Sequence, residues 1–409
     1  MNIVTLGFKN LKIKKLSTFL SILLVTFGVA IISSLLILSN QLSNNLEKNA
    51  ENIDAVVGAK GSPMQLILSS IYYVDFPTGN IPYKDALRVA RNPMVKMAVP
   101  LALGDNFKGY RIVGTDQSFT KLYNLRTQEG KFWEKDFEVT VGAEVAKKHK
   151  LQIGQTIHGA HGLSSDEDLH DEHEYKIVGI LEAQDRVVDH LVLTNISSVW
   201  HMHGIGEEHH EHHEGEEHEE HDHHHEDLEG KDITSLLIQY KSPLSVITFP
   251  KLINESTFMQ VASPAMESAR LFSLVGVGMD ALTWFAYLII LISAISVFVN
   301  LYNSLKERKF DLAVMRTLGA SRFKIFFLVI FEGIIITVMG ALVGIVLGHG
   351  FVELIGRYQE DGQNIFTGYV FYKEEFYLLG LGLFLGVLAS IIPALQAYNT
   401  DISKVLSDK

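Results

Sequence analysis

Four long apolar segments constrain this chain more than any other feature of its sequence. They lie at residues 16–39, 281–305, 325–349 and 376–398, and only the third contains an Asp, Glu, Lys or Arg, which is Glu332. A hydrocarbon core about 30 Å thick is crossed by a helix of about 20 apolar residues, so each segment is long enough to span a bilayer. The sequence therefore predicts four transmembrane helices.

The first apolar segment has a second interpretation, a cleaved signal peptide. Its apolar run exceeds the roughly 7–15 residues usual for the hydrophobic region of a signal peptide, and no A-x-A-like cleavage site follows it. A retained signal anchor therefore fits the sequence better.

Basic residues in the short flanks of the segments predict their direction across the membrane. Four lysines precede the first segment, and residues 306–324 contain six basic residues against two acidic ones. Residues 350–375 contain two basic residues against five acidic ones. The predicted order is a cytoplasmic N-terminus at 1–15, a cytoplasmic segment at 306–322, an external loop at 350–375, a cytoplasmic C-terminus at 399–409 and a large external domain at 40–279.

The predicted external domain has a mixed α/β pattern. Short β-branched runs alternate with Gly and Pro, and helical patterns lie between them at 83–91 and 143–149. The fold class is thus an α+β membrane protein, with the α/β domain inserted between the first and second membrane helices. Two lobes are expected, one combining about 47–108 with 232–279 and the other an insertion at about 109–231.

The sequence contains no recognisable catalytic constellation. The chain has no Cys, which excludes thiolate metal sites and a cysteine nucleophile. Ser62 lacks a G-x-S-x-G context, and the pattern G-x-x-x-x-G-K-[ST] of a P-loop is absent. We therefore expect no catalytic residues and no ATP binding through a P-loop on this chain.

A histidine- and acid-rich stretch accounts for the net charge of -12. Twelve of the 47 acidic residues lie between His201 and Glu229, and the remaining 35 balance the 35 Lys and Arg residues. The balance gives no indication of a nucleic-acid surface. With few bulky apolar residues, the loop at 201–229 is predicted to be disordered.

Imidazole and carboxylate groups in this loop are suitable ligands for Zn²⁺ or a similar divalent metal. Three interpretations stay open: an insertion that binds metal incidentally, a metal sensor or collector, and a pH sensor. A sparser group, His158, His161, His170 and His173, is a second source of ligands. The candidate metal ligands in the loop are His209, His210, His212, His213, His218, His221, His223, His224 and His225.

Four stretches of the sequence resemble the MacB/FtsX-like permease family of ABC transporters. The first is DAVVGAKGSP at 54–63; the second is GKFW at 130–133 with VGAEVA at 141–146, LQIG at 151–154 and IVGIL at 177–181; the third is ERKFDLA at 307–313 with RTLGAS at 316–321; and the fourth is PA at 393–394 with DISKVL at 401–406. The third is the most specific, because a membrane loop has no general reason to read R-x-L-G-A-S.

The resemblance implies a permease dimer, homomeric or paired with a related chain, in a bacterial inner membrane with its large domain in the periplasm. It also implies a separate ATPase subunit, whose closure moves the external domains, and it leaves room for a periplasmic partner. No cofactor is required, and ATP is expected only on the ATPase. The residues expected to couple to the ATPase are Glu307, Arg308, Arg316, Leu318, Gly319, Ala320 and Ser321, although their basic members would also serve to set topology.

Two features inside the third span are further candidates. Gly340, Gly344 and Gly348 have the small-xxx-small spacing that lets helices approach closely, either at a dimer seam or within one subunit. Glu332 is a charge within a span, which is costly and usually faces protein or water. It is expected either to make a buried polar contact or to take part in coupling.

Three functions remain open on the sequence. The first is ATP-driven export or extraction of a periplasmic or membrane substrate, such as a peptide, a lipoprotein or a small amphiphile. The second is a signalling scaffold that activates a cell-wall hydrolase or a sensor kinase. The third is a metal-linked transporter or regulator that acts through the histidine-rich loop.

Overall fold

The computed structural model describes residue 10 and residues 14–161, 174–202, 228, 230–358 and 366–400. The chain divides into two compact units. The helical unit comprises 1–43, 274–359 and 364–409, and the sheet unit comprises 44–273 and 360–363.

In chain order the elements are α1 (Lys15–Asn49), β1 (Ala55–Ala59), α2 (Pro63–Ser70), β2 (Ile81–Pro82), α3 (Tyr83–Ala90), β3 (Val95–Phe107), β4 (Tyr110–Thr115), α4 (Gln117–Leu122), β5 (Thr127–Gly130), β6 (Glu138–Val141), α5 (Ala143–His149), β7 (Thr156–Ile157), β8 (Ala160–His161), β9 (Tyr175–Leu181), a 3-10 turn (Val187–His190), β10 (Val192–Asn195), α6 (Ile196–Met202), β11 (Asp232–Ile233), β12 (Ser235–Tyr240), α7 (Ser245–Ser256), β13 (Met259–Ala262), α8 (Pro264–Glu307), α9 (Lys309–Thr317), α10 (Arg322–Tyr358) and α11 (Glu375–Tyr398).

Within the described residues, four helices are long and apolar enough to cross a membrane: α1, α8, α10 and α11. Each contains one of the four predicted apolar segments, and the mixed α/β region lies between the first and second of them. The predicted fold class is therefore confirmed. The helices extend beyond the apolar segments: α8 has 44 residues, which at 1.5 Å per residue is about 66 Å, roughly twice the thickness of a hydrocarbon core.

Apolar side chains from all four long helices meet in the core of the helical unit. Their contacts place α1 parallel to α10, because Val25 lies at Gly340 and Ser33 lies at Gly348. Helix α8 runs the opposite way to α1, since Ser17 pairs with Asn300 and Ser21 with Ser296, farther back along α8. The residues of this core are Val25, Val29, Val297, Leu301, Ile336, Ala341, Ile345, Leu378 and Ala389.

The sheet unit is built around an 11-stranded mixed sheet. Its strand order is β13-β1-β12-β3-β4-β10-β6-β9-β5, with β7 added to β9 and β8 to β3. Strand β3 pairs with β12 along its first part and with β4 along its second part, and the β3–β4 register shifts between Leu103 and Asn106. This long strand joins the two expected lobes into a single sheet.

Among the described residues of the sheet unit, buried apolar side chains form two hydrophobic cores. One contains Val57, Ile238 and Phe249, from the part of the sheet around β1 and β12. The other contains Ile112 and Tyr175, from the part around β4 and β9. Strand β9 alternates buried and less buried residues along its length, the two-residue period of a strand with one face in a core.

The structure gives physical reasons for parts of the sequence resemblance. Ser62 is the N-cap of α2 and accepts a hydrogen bond from the Gln65 amide at 3.4 Å, followed by Pro63 at the first helical position. Gly130 and Gly179 face each other across β5 and β9, where a side chain on either would overlap the backbone of the opposing strand. These positions need glycine because the strands approach closely there.

Tyr110 on β4 lies between two histidine rings. The His149 ring meets it edge-on with centroids 5.5 Å apart, and the His190 ring stacks on it at 6.5 Å. Burial lowers the pKa of both histidines from the usual value, and the neighbouring Asp189 carboxylate offsets this only in part at His190. The folded sheet unit therefore favours the neutral form of both imidazoles.

We expect the sheet unit to lose stability as the pH falls below about 6.5, the usual histidine value. Because the folded-state pKa values are lowered, the unfolded chain binds more protons in this window, and acidification favours unfolding. His190→Phe keeps a ring against Tyr110 but removes one titrating group, so it should weaken this dependence by up to about tenfold in the unfolding constant per pH unit.

Hydrogen exchange of the β4 and β10 amides in the full chain measures this effect. His201→Phe is the matched control, because the His201 side chain is 44% exposed. Equal pH slopes for His190→Phe and the unmodified chain would contradict the assignment.

Candidate functional site

Basic side chains gather at one end of the helical unit, which we name the basic end. It is formed by the start of α1, the end of α8, the whole of α9, the start of α10 and the end of α11. Its cations include Lys14, Arg308 and Arg316. Its hydrophobic core consists of Leu305, Leu312, Ile325, Val329, Ala394 and Ala397.

Glu332 lies buried at the basic end, with only 4% of its surface exposed. Its Oε1 accepts hydrogen bonds from Arg308 Nη2 at 3.3 Å and from Asn10 Nδ2 at 2.5 Å. A carboxylate in this setting is stabilised by a permanent cation and a second donor, which offsets the loss of its hydration. The buried polar contact expected for Glu332 thus joins α10 to the end of α8.

A small polar cavity of about 10 Å³ lies beside Glu332. Asn10, Lys14, Thr18, Asn300 and Ser304 line it together with Glu332. The volume and the polar lining suit about one water molecule and no larger ligand. The cavity therefore belongs to the polar network of the basic end and gives no indication of a substrate site.

Further polar contacts join the start of α1 to the last part of α8 beside this cavity. Lys14 Nζ lies 2.7 Å from Glu307 Oε1, and Ser17 Oγ donates to Asn300 Oδ1 at 2.8 Å. The sequence predicted a coupling role for Glu307 but did not identify its partner. The signal was present, since Lys14 and Glu307 both lie at ends of apolar segments that were predicted to reach the same side.

The predicted coupling residues fall into two groups, and the first braces α9. Helix α8 ends at Glu307 and α9 begins after Arg308, so the Arg308–Glu332 pair fixes the start of α9. At its other end, Arg316 Nη1 donates to the Thr400 carbonyl oxygen at 2.7 Å, which ties α9 to the residues that follow α11. Helix α9 is thereby held to two neighbouring helices.

The second group forms the turn between α9 and α10. Gly319 has φ +96, a left-handed conformation that favours glycine. The Ser321 hydroxyl accepts from the Lys324 amide at 3.3 Å at the start of α10. Leu318 projects from this turn with 82% of its surface exposed, and Ala320 continues the chain into α10. The braced helix therefore presents an apolar side chain at its tip.

The glycines of the third span lie against α1 of the same chain. A Cβ at Gly340 would come 2.7 Å from Val25 Cβ, one at Gly344 would come 2.8 Å from Val29 Cβ, and one at Gly348 would come 2.9 Å from Ser33 Cβ. Thr26 Oγ1 also donates to the Gly340 carbonyl oxygen at 3.1 Å. The structure thus places this stripe in contact within one subunit.

A second small-residue contact, between α10 and α11, was not predicted. A Cβ at Gly333 would come 2.9 Å from Ser390 Cβ, and one at Gly382 would come 2.9 Å from Ala341 Cβ. Gly382, Gly386 and Ser390 are spaced by four residues, as the glycines of α10 are. The same sequence signal would have found them.

The predicted metal ligands His209, His210, His212, His213, His218, His221, His223, His224 and His225 lie outside the described residues, as do His170 and His173. His158 is described, and its Nε2 lies 3.7 Å from Glu174 Oε1. Across the residues that the structure describes, no group of three or more His, Asp or Glu side chains is placed to hold a metal ion. Metal binding by the loop stays a prediction.

Two family models match this chain, one over each of its main parts. The family model for the MacB-like periplasmic core domain matches residues 18–246, and that for the FtsX-like permease C-terminal domain matches residues 283–402. Because the first alone covers more than half of the chain, the chain belongs to the MacB/FtsX-like family of ABC transporter permeases.

Similar proteins include permeases from two bacteria. The chain is 34% identical over 106 residues to an uncharacterized ABC transporter permease protein of Mycobacterium tuberculosis, a match that covers 24% of this chain and 12% of that one. It is 19% identical over 301 residues to the lipoprotein-releasing system transmembrane protein LolC of Buchnera aphidicola, covering 70% of this chain and 68% of that one.

Two solved structures are also similar. The periplasmic region of MacB from Actinobacillus actinomycetemcomitans matches 55% of this chain and 97% of its own length, at 10% identity and a TM-score of 0.34. The extracellular domain of the transporter YknZ from Gram-positive bacteria matches 52% of this chain and 99% of its own length, at 11% identity and a TM-score of 0.32.

Gly344→Leu tests the contact between α1 and α10. The larger side chain would meet Val29, and overpacking of this kind typically costs about 1–3 kcal/mol. We expect a lower thermal unfolding midpoint for the full chain in lipid nanodiscs. Gly350→Leu is the matched control on the same helix, because nothing lies within 4 Å of its added Cβ; equal losses in both variants would argue against the contact.

Arg308→Gln, Glu332→Gln and the double variant test the buried pair at the basic end. Removing Arg308 leaves a buried carboxylate without its cation. The loss of unfolding free energy in the double variant should therefore be smaller than the sum of the losses in the two single variants, by about 0.5–3 kcal/mol. Denaturant unfolding of the full chain measures the cycle. The exposed pair Arg88–Asp85, at 2.9 Å, is the control and should couple by about 0.2–1 kcal/mol; a buried pair that couples no more strongly would contradict the interpretation.

Proposed function

We propose that this chain is the permease subunit of an ABC transporter whose ATPase is a separate polypeptide. In this proposal, ATP hydrolysis on the partner moves the sheet unit and drives the export or extraction of a periplasmic or membrane substrate. The observation that carries the proposal is the braced helix α9 with Leu318 exposed at its tip.

The direction of the chain follows from its charges. Cytoplasmic loops carry an excess of Lys and Arg, so the basic end belongs in the cytoplasm, with both termini on that side. The sheet unit then lies on the far side of the membrane, which we take to be a bacterial inner membrane. In this orientation α9 lies on the cytoplasmic side, where ATP is available.

Helix α9 is suited to receive a force from a docked subunit. Its start is fixed by the Arg308–Glu332 pair and its end by the bond from Arg316 to the Thr400 carbonyl. Buried Leu312 and Ala313 attach its inner face to the core of the basic end. A displacement of α9 is therefore passed to α8, α10 and α11 together rather than absorbed by a loose loop.

The role of Arg316 in this proposal differs from a direct docking contact. Because its guanidinium binds Thr400, substitution would loosen α9 before it altered the surface that faces the ATPase. Leu318, with its exposed side chain, is the better candidate for the docking contact itself. Protein interfaces usually have an apolar core within a polar rim.

In this proposal, helices α1 and α8 transmit the movement to the sheet unit. Each has residues in both units, since α1 continues to Asn49 and α8 begins at Pro264. A shift at the basic end would thus reach the covalent connections of the sheet unit. A second permease subunit, identical or related, would complete the transporter. The name of the Buchnera relative describes lipoprotein release, and a lipoprotein or another amphiphile is our proposed substrate class.

Leu318→Asp tests docking at α9. A charge placed in the centre of an apolar contact removes a main anchor, so we expect at least about a tenfold loss of ATPase co-purification, equivalent to about 1.4 kcal/mol. Membrane insertion and the thermal unfolding midpoint of the permease should not change, because Leu318 is exposed. The ATPase subunit is retained on the tagged permease and quantified.

Leu244→Asp is the matched control, because Leu244 is also exposed, at 69%, but belongs to the sheet unit. Full retention of the ATPase by Leu318→Asp would remove α9 as the docking element. Equal loss in both variants would point to a general effect of the added charge.

A further inference from the structure

Aromatic side chains are concentrated at the end of the helical unit opposite the basic end. Five of the nine residues 369–377, which we name the aromatic segment, are Phe or Tyr, against 10% aromatic residues in the whole chain. Four of them are between 73% and 78% exposed: Tyr369, Phe371, Phe376 and Tyr377. A cluster of exposed apolar rings is unfavourable in water, so this surface needs a partner that covers it.

The aromatic segment is fixed to the neighbouring helices. Just before it, Gln41 of α1 binds both backbone groups of Thr367, donating to its carbonyl oxygen at 2.6 Å and accepting from its amide at 2.9 Å. Within it, the Phe371 ring stacks on the imidazole of His349 of α10 with centroids 4.0 Å apart, and His349 Nε2 lies 2.6 Å from Glu375 Oε2. The exposed rings therefore belong to a fixed surface rather than to a loose loop.

The position of the segment in the chain brings it to the membrane surface. Residues 359–374 alone separate α10 from α11, and both helices are long and apolar enough to cross a membrane. Phe376 and Tyr377 already belong to the first turn of α11. The exposed rings thus lie where an apolar span begins, next to hydrocarbon on one side and to water on the other.

Helix α8 provides a reference for the depth of this surface. A Cβ at Gly28 of α1 would come 2.6 Å from Ile290 Cγ1, so Gly28 and Ile290 lie at one level of the helical unit. Trp284 lies six residues before Ile290. Because α8 runs toward the basic end, Trp284 is about 9 Å farther from that end, at 1.5 Å per residue.

The aromatic segment lies at the level of Trp284. A Cβ at Gly344 would come 2.8 Å from Val29 Cβ, one residue after Gly28, and His349 follows Gly344 by five residues. His349, with the Phe371 ring on it, is therefore also about 9 Å beyond the level of Gly28. Two separate parts of the chain thus place exposed aromatic rings at one depth.

This arrangement has the composition of a membrane interface. Trp284 and Tyr287 are both exposed, with ring centroids 6.0 Å apart, and the aromatic segment adds Tyr369 and Tyr377 at the same end of the unit. Indole and phenol rings combine an apolar body with a polar group, and they are enriched where acyl chains meet lipid headgroups.

We propose that the aromatic segment is an anchor in the headgroup region of the leaflet opposite the basic end, with its exposed Phe and Tyr rings inserted among the lipids. Its partner is the phospholipid bilayer. Lys373 and Glu374, both exposed, lie among the charged headgroups. Because the segment is fixed to α1, α10 and α11, the anchor sets the depth of these helices. The proposal is independent of ATPase docking.

A spin label within the segment measures this depth. The chain has no Cys, so Val370→Cys creates a single labelling site at an exposed residue between Tyr369 and Phe371 without removing a ring. The full chain is placed in phosphatidylcholine nanodiscs. Power saturation of the label's electron paramagnetic resonance signal measures its accessibility to oxygen, which concentrates in hydrocarbon, and to a nickel chelate, which stays in water.

Two further single-label variants give the reference values. Leu388→Cys, at an exposed residue near the middle of the apolar segment 376–398, reports hydrocarbon, and Lys241→Cys, at an exposed residue of the sheet unit, reports water. We expect the Val370→Cys label to lie between these references for both reagents. Nickel accessibility equal to that of Lys241→Cys overturns the proposal. Low accessibility to both reagents shows cover by protein, such as a second permease subunit, and also overturns it.

Phe376→Ser with Tyr377→Ser, added to Val370→Cys, tests the anchoring itself. This change leaves Phe371 on His349, so the fastening of the segment is kept while two inserted rings are lost. Nickel accessibility of the label should rise toward the Lys241→Cys value. Phe376→Trp with Tyr377→Trp is the matched control and should keep the original value, because Trp also favours the interface.

An unchanged nickel accessibility in the Ser variant overturns the anchor, as does an equal rise in the Ser and Trp variants. Where the Ser variant does not fold, the comparison of Val370→Cys with its two references still decides, since that variant keeps every aromatic ring of the segment.

Discussion

Close contact between helix backbones at small residues is the interaction on which the helical unit depends. Lipid tails are as apolar as leucine side chains, so burial of apolar surface does little to hold membrane helices together. Van der Waals contact and hydrogen bonds must do so instead. Gly340, Gly344 and Gly348 bring α10 against α1, and Gly333, Gly382 and Gly386 bring it against α11. Helix α10 is thus the centre of the unit, with a partner on two sides.

Polar groups in the helical unit occur where this close packing leaves room for their partners. At the basic end, Glu332 is satisfied by Arg308 and Asn10; at the opposite end, His349 is satisfied by Gly368 and Glu375. Between them, hydroxyl groups such as that of Thr26 donate to backbone carbonyls of the next helix. An unpaired polar group in hydrocarbon would cost several kcal/mol, so each of these residues constrains which helix can lie beside it.

Local sequence patterns predicted the helices. Most of the features that the sequence did not predict depend on contacts between residues far apart in the chain. The apolar segments predicted α1, α8, α10 and α11 because length and lack of charge are properties of a segment alone. The strand order and the role of β3 were not predicted, because pairing joins segments far apart in sequence. Glu332 was identified as a residue needing a partner, yet Arg308 could not be chosen among the basic residues of its loop. His349 and Glu375 were overlooked, since a histidine near the end of an apolar segment has no distinct pattern without Gly368 beside it.

The two ends of α10 are held by buried carboxylates with different partners. At the basic end the cation is a guanidinium, which remains charged at any physiological pH. That pair ties α10 to the residue that follows α8. At the other end the partner of Glu375 is the imidazole of His349, whose Nδ1 also lies 2.6 Å from the Gly368 carbonyl oxygen. Helix α10 is therefore tied to the residue that follows α8 at the basic end and to the residues that precede α11 at the other, and both ties join segments far apart in sequence.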